Sequence, residues 1–244
     1  MEKFEHIVLN IPHAAVLHGV FSPEYGGWEP DARFINENVL DHADWYTDLM
    51  FEDRSNPRIQ AVVAEFSRFV VDMERLDDDP LEAEGQGKVY THYGYGRRSG
   101  LTPEMRAKLE QLWLDYQHRL LAAVQARPNS LLIDCHSFCA REAEDIDVCL
   151  GYNDDWSRPS DATLRRITEV FEEQGYRVGI NTPYSNAKTP LAERLGDGGY
   201  KSFMIELNKC TYMHEREHTI NDAPRCAPRM RQAILTLYER LLGR

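Results

Sequence analysis

The sequence has no run of about 18 apolar residues, so no membrane-spanning helix is expected. It also lacks an excess of base. Its 28 lysines and arginines face 40 aspartates and glutamates, for a formal net charge of −12. A chain this acidic has no general basic face, which argues against nucleic-acid binding. A small anionic ligand remains compatible, because a few arginines suffice for a local positive pocket. Cysteine is scarce: there are five, an odd number, without a disulfide-framework spacing. A reduced, cytoplasmic setting is therefore expected. The N-terminal MEKFEHIVLN has neither a long apolar run nor a small-residue cleavage site, so no signal peptide is expected. Repeats and low-complexity linkers are also missing. The 244 residues, 42% of them apolar, read as one domain over 1–244 with a sizeable core. These bulk properties are compatible with a homo-oligomer.

What is present is an alternation of strand-like and helix-like segments. HIVLNI (6–11) is β-branched and ends at Pro12. The stretch 34–53 has apolar residues at helical spacing and no glycine or proline, which predicts one helix. IQAVVAEF and FVVDM (59–73) read as strands. Residues 101–126 form the clearest helix, with Thr102 as N-cap, Pro103 at the first helical position and an apolar stripe from Leu109 to Val124. SLLIDCHSF (130–138), DIDVCLGYN (145–153), RVGIN (177–181) and KSFMIELN (201–208) read as further strands. Helices are predicted over 161–176 and 228–243. The alternation implies an α/β fold: a three-layer α/β/α sandwich around a mixed, mostly parallel sheet.

In open α/β sheets, ligands bind at the carboxyl ends of strands. The polar residues there are His13, Ser67, Arg68, Glu74, Arg75, Asp134, His136, Glu206 and Asn208. Two imidazoles, two guanidiniums and a carboxylate in one rim match the inventory of a zinc hydrolase. Each has a plain structural alternative: a surface histidine, a strand-end polar pair, or a buried glutamate salt-bridged to Arg68 or Arg75. A rival metal site is offered by HEREH (214–218), which fits the H-E-x-x-H zinc-protease pattern with His214 and His218 as ligands and Glu215 as base. That pattern needs a helix. Asn221, Asp222 and Pro224 follow closely, and the x positions are charged, so a metal there is disfavoured. The two histidines are expected on the rim of the pocket instead.

The segments IPHAA, SRFVVDMER, LDYQHRLL, IDCHSF, GYRVGINTPY and IELNKCTYM resemble, in order, the pattern of the N-formylglutamate amidohydrolase family. The resemblance runs from His13 to Met213. It implies a fold related to zinc carboxypeptidases and aspartoacylase-like deacylases, and hydrolysis of an N-acyl amide on an acidic amino acid, as in histidine degradation. It implies Zn2+ or another divalent metal held by His13, Asp44 and His136, where Asp44 matches the family's T-D aspartate. The carboxypeptidase glutamate three residues after the first histidine is Val16 here. Glu206 would be the general base, Arg68 would polarise the scissile carbonyl, and Arg75 would grip a substrate carboxylate. Asp134 would orient a histidine. Asn181 and Asn208 join Arg75 as substrate-binding residues. Arg97 is added from YGYGRR (93–98), which reads as a loop over the site or as plain surface.

The sequence departs from the family pattern at several places. Glu74 replaces an asparagine beside Arg75, where a carboxylate would compete with an anionic substrate. Ala14-Ala15 replace Ser-Gly, Ser185-Asn186-Ala187 stand where Gly-Gly often follows Pro-Tyr, and Lys209 replaces an arginine. These changes surround substrate recognition more than the metal. Besides the zinc protease, two alternatives follow: a non-catalytic member that binds an acidic metabolite, and a metal or redox role for Cys135 and Cys139. For the cysteines, buried structural thiols are the simpler reading.

Overall fold

In a computed structural model of the chain, residues 2–185 and 200–243 are described. Six strands form one sheet in the order β2-β1-β5-β8-β6-β7. They are β1 (His6–Ile11), β2 (Ile59–Val63), β5 (Ser130–Phe138), β6 (Val148–Gly151), β7 (Val178–Ile180) and β8 (Lys201–Asn208). The first four in the sheet run parallel. β6 pairs antiparallel with β8, and β7 runs parallel to β6. Two short hairpins stand apart, β3 (His92–Tyr93) with β4 (Gly96–Arg97) and β9 (Met213–His214) with β10 (Thr219–Ile220).

The central strands are continuous apolar runs because both faces are covered. Every residue of β1 and β5 is buried. On one face Ile7, Leu9, Ile133 and Ile205 join a core with three helices: α3 (Thr47–Phe51), α5 (Asp161–Glu173) and α6 (Ala227–Leu241). On the other face Val8 and Leu132 pack under α4 (Pro103–Gln125). Leu109, Trp113, Tyr116, Leu120 and Val124 of α4 are buried, and Thr102 Oγ1 accepts from Met105 N at 3.2 Å, as the sequence predicts. The expected layered α/β architecture is present. No helix among the described residues is long and apolar enough to cross a membrane.

Two expectations need correction. The single helix over 34–53 is broken. Ala32–Phe34 (α1) passes through a π-helical turn at Ile35–Val39 into Leu40–His42 (α2), and the chain then turns extended at Ala43. Tyr46 is left-handed, with φ 62°. Tertiary hydrogen bonds replace the helical ones: Asp44 N donates to His13 O (3.1 Å), Tyr46 Oη to His218 O (2.9 Å), and Tyr212 Oη to Trp45 O (2.8 Å). Local propensity favours a helix here, and these contacts outweigh it.

FVVDM is likewise no strand. Val70 N and Val71 N both donate to Ser67 O in a turn, and Asp72 N donates to Lys88 O at 2.8 Å. Phe69, Val70 and Val71 are apolar because they pack beneath α4.

Candidate active site

The strand order brings the carboxyl ends of β1, β2, β5 and β8 together, and the polar residues there converge. His13 follows β1, and Arg68 lies in the turn after β2. The register pairs His136 on β5 with Glu206 on β8. Side chains alternate across a strand. Leu131, Ile133 and Cys135 therefore enter one core, while Leu132, Asp134 and His136 face the α4 side. Asp44 arrives from the break between α2 and α3, so it is not a mid-helix carboxylate. A pocket of about 430 Å³ is lined by His13, Asp44, Arg68, Glu74, Arg75, His136 and Glu206, among others.

His13, Asp44 and His136 are buried, and one ligand atom from each lies within 4.8 Å of the others. Asp44 Oδ2 is 3.0 Å from His136 Nδ1 and 3.6 Å from His13 Nδ1. Ligands about 2.0–2.1 Å from a tetrahedral ion sit roughly 3.3 Å apart, and these two separations bracket that spacing. His13 Nδ1 is buried without a hydrogen-bond partner. Its other nitrogen is engaged, with Nε2 2.8 Å from Asp72 Oδ1. An Nε2–H donor to Asp72 leaves an Nδ1 lone pair aimed at Asp44 and His136. His136 Nε2 lies 3.0 Å from Asp134 Oδ1 and 3.4 Å from Glu74 Oε1. The hydrogen-bonded carboxylate behind His13 is the arrangement that orients a metal-binding histidine, whereas His136 Nε2 has Asp134 close by without an aligned hydrogen bond. The residues present fit a divalent cation. Asp72 and Glu74 with His13, and Glu74 and Asp134 with His136, form two further groups able to hold one.

The charges are strongly coupled. Burial works against the charged form of every group in the cluster. Asp72 nonetheless stays well below the usual carboxylate range, because Arg68, His13 and Arg75 surround it. Burial would also raise Asp44, but hydrogen bonds and charge from His13 and His136 hold it down. Burial would lower both imidazoles. Asp134 and Glu74 raise His136 well above its ordinary value, and Asp72 raises His13 against the further opposition of Arg68. Glu206 goes the other way. Burial pushes it well up, assisted by Asp44, Glu74 and Asp134 and opposed by His136, and its Oε2 has no partner.

Not every predicted residue reaches this pocket. Asn208 is buried, but its Nδ2 donates to Ile146 O (2.8 Å) and its Oδ1 accepts from Cys210 N (3.2 Å), so it fixes the turn after β8. Asn181 Oδ1 accepts from Tyr152 N at 2.9 Å. Arg97 is exposed on the β3–β4 hairpin. Its neighbour Arg98 is buried and donates to the carbonyls of Gly26, Val70 and Tyr90. HEREH is no helix: it forms the β9–β10 hairpin, in which His214 pairs with Thr219. His218 stacks on Trp45 at 4.9 Å, and neither histidine lines the pocket. Glu74 turns toward the imidazoles, not onto Arg75. All five thiols are free; Cys135 is enclosed in the core, while Cys139 lines the pocket, its pKa raised by burial to about 11. Of Ser185-Asn186-Ala187, Ser185 lines the pocket and the other two lie outside the described residues.

Sequence reasoning missed Asp72. It is fully buried, accepts from Arg68 Nη2 (3.0 Å) and Tyr90 Oη (2.5 Å), and has Arg75 Nε 3.5 Å away. The available signal was an acid inside the apolar run FVVDM, flanked by two arginines at helical spacing. A buried carboxylate of that kind needs partners.

Comparison with known proteins gives first the class, amide-bond hydrolases. Residues 6–213 match the family described as N-formylglutamate amidohydrolase. The chain belongs to the N-formylglutamate amidohydrolase family. It is 26% identical over 232 residues to an N-formylglutamate deformylase of Pseudomonas aeruginosa, covering 87% of this chain and 86% of that protein. A second N-formylglutamate deformylase, from Pseudomonas putida, is 25% identical over 230 residues, covering 86% and 83%. The crystal structure of an N-formylglutamate amidohydrolase from Ralstonia eutropha superposes with a TM-score of 0.72 at 20% identity, over 99% of this chain and 94% of that one. A gene product of Agrobacterium tumefaciens superposes at 0.64 and 16% identity, over 99% and 89%. The two structures share its fold.

Proposed function

We propose that the chain is a metal-dependent hydrolase of N-formyl amino acids, with N-formylglutamate as the reference substrate, forming formate and the free amino acid. The convergence of His13, Asp44 and His136 with Glu206 in one pocket carries this reading. His13 Nδ1, His136 Nδ1 and Asp44 Oδ2 would hold the ion, and zinc suits two imidazoles and a carboxylate. When bound, such an ion lowers the pKa of a coordinated water and polarises a carbonyl.

The chain's own groups supply the rest. Asp72 holds the His13 imidazole in position, and Asp134 lies beside that of His136. Glu206, with an unpartnered oxygen, takes a proton from the attacking water and passes it to the leaving nitrogen. Arg68 faces the pocket and donates toward the developing oxyanion. Arg75 offers its guanidinium to a substrate carboxylate.

The test is formate release from N-formyl-L-glutamate by wild type and Glu206→Gln. The expected result is a fall of roughly 10²–10⁴ in kcat with metal content retained. Full activity in Glu206→Gln would remove Glu206 from the mechanism. Binding of the free amino acid, without formate release from any N-formyl amino acid by the metal-loaded wild type, would instead favour a binding protein.

A further inference from the structure

Lys209 opens the short turn Lys209–Thr211 that follows β8, and Asn208 caps that turn by accepting from Cys210 N. Lys209 lines the pocket, yet it is only 2% exposed. An ammonium carries three donors and no acceptor. Lys209 Nζ donates to Asp41 O at 2.7 Å and lies 3.6 Å from Cys139 Sγ, a weak acceptor. Neither contact brings a negative charge. Asp41 and Glu142 also line the pocket, but Asp41 Oδ2 is paired with Arg141 at 2.9 Å. Among the described residues no carboxylate forms an ion pair with Lys209. A buried charge without a counter-charge is costly. An anion entering the pocket relieves that cost.

The other positive groups have nearer partners. In the hydrolytic reading the ion, the two imidazoles and Arg68 stand at the formyl carbonyl and the attacking water. Arg75 lies beside them: its Nε is 3.5 Å from Asp72 Oδ2, and Asp72 Oδ1 is 2.8 Å from His13 Nε2. A carboxylate on Arg75 is therefore close to the scissile amide. The α-carboxylate must lie there, because it shares its Cα with the amide nitrogen. Lys209 stands apart from the ligand set, and neither Asp41 O nor Cys139 Sγ is a proposed ligand atom. The side-chain carboxylate of a glutamate, held away from Cα by its methylenes, is the group that remains for Lys209.

We propose that Lys209 is the residue that selects the acidic side chain: its ammonium binds the side-chain carboxylate of N-formylglutamate while Arg75 binds the α-carboxylate. This rests on the hydrolytic reading above. A compact point charge needs only one carboxylate oxygen, without the two-pronged geometry of a guanidinium. A charge-assisted hydrogen bond of this kind is worth roughly 10- to 100-fold in discrimination.

The experiment measures kcat/KM on N-formyl-L-glutamate, its side-chain amide N-formyl-L-glutamine and its α-amide N-formyl-L-isoglutamine. The proteins are wild type, Lys209→Met, Lys209→Gln and Lys209→Arg, with metal content measured alongside. Wild type is expected to prefer the glutamate over the glutamine compound by about tenfold or more. That ratio falls about tenfold in Lys209→Met and Lys209→Gln, chiefly through KM, and is largely restored in Lys209→Arg, while the preference over the α-amide persists. No preference in wild type, or a ratio unchanged within about twofold in both neutral variants, overturns the proposal. A collapse of the α-amide ratio alone also overturns it, because Lys209 would then serve the α-carboxylate. If the metal-loaded wild type hydrolyses none of the three, the hydrolytic reading fails, and calorimetry of L-glutamate and L-glutamine binding decides on Lys209. A glutamate preference that drops about tenfold in both neutral variants upholds its role, and no preference or no drop removes it.

Discussion

Asp72 ties the charged cluster together at the scale of single side chains. It neutralises part of two arginines, accepts from Tyr90, and fixes His13 through Nε2, leaving Nδ1 to face Asp44 and His136. A buried acid of this kind is costly unless all its contacts are made. Its replacement therefore acts twice: the imidazole loses its orienting acceptor, and the guanidiniums lose their counter-charge. Asp72→Asn is expected to weaken metal binding by about 10- to 100-fold, read by competition with a chromogenic chelator. Unchanged affinity in the folded variant would mean that His13 is oriented by other contacts. The same residue shows what a sequence conceals. His13, Arg68, His136 and Glu206 were legible because each stands where an apolar strand ends or is interrupted. Asp72 stands in SRFVVDMER with nothing local to mark its role, because its partners His13 and Tyr90 lie 59 and 18 residues away.

At the scale of elements, β1, β5, β8, α4, α5 and α6 were readable from hydrophobic pattern and caps, because in each the local preference and the tertiary contacts agree. The break at Ala43–Tyr46 was not readable. Residues 34–53 carry helical spacing throughout, and His13 O, the Tyr212 hydroxyl and His218 O, brought by the fold, outbid the helical hydrogen bonds. That break is what turns Asp44 toward the histidines. HEREH shows the converse. A five-residue pattern fits a zinc helix, but the chain after β8 turns into a hairpin whose His218 stacks on Trp45, next to Asp44.

The far edge of the sheet offers a separate test. Asp147, just before β6, accepts from Arg177 N (2.8 Å), Nε (3.0 Å) and Nη2, stitching β7 to its neighbour. Burial would raise this carboxyl, but the hydrogen bonds and charge of Arg177 outweigh it and leave the pKa lowered. The folded form thus binds its proton less readily than the unfolded chain. The stabilisation is fully present above the unfolded pKa near 3.9 and is lost as pH falls through the folded pKa. Arg177 is largely exposed, so solvent screens the pair and the contribution is small. Urea titrations are expected to show Asp147→Asn less stable than wild type above about pH 5, with the gap closing below about pH 4. A gap independent of pH would assign the effect to packing.

At the scale of the whole molecule, the chain carries a net charge of −12, yet its described pocket concentrates imidazoles and arginines among carboxylates where four parallel strands end. A sheet can deliver side chains from four distant segments to one point because each strand end is fixed by its neighbours' register. The central claim is that this point is a metal centre built from His13, Asp44 and His136. Elemental analysis of the purified wild type, His13→Ala and His136→Ala tests it most directly. The expected result is about one zinc or other divalent ion per wild-type chain, and loss of most of that metal in each variant while the fold is retained. Full metal occupancy in both variants would contradict the account and place the ion elsewhere.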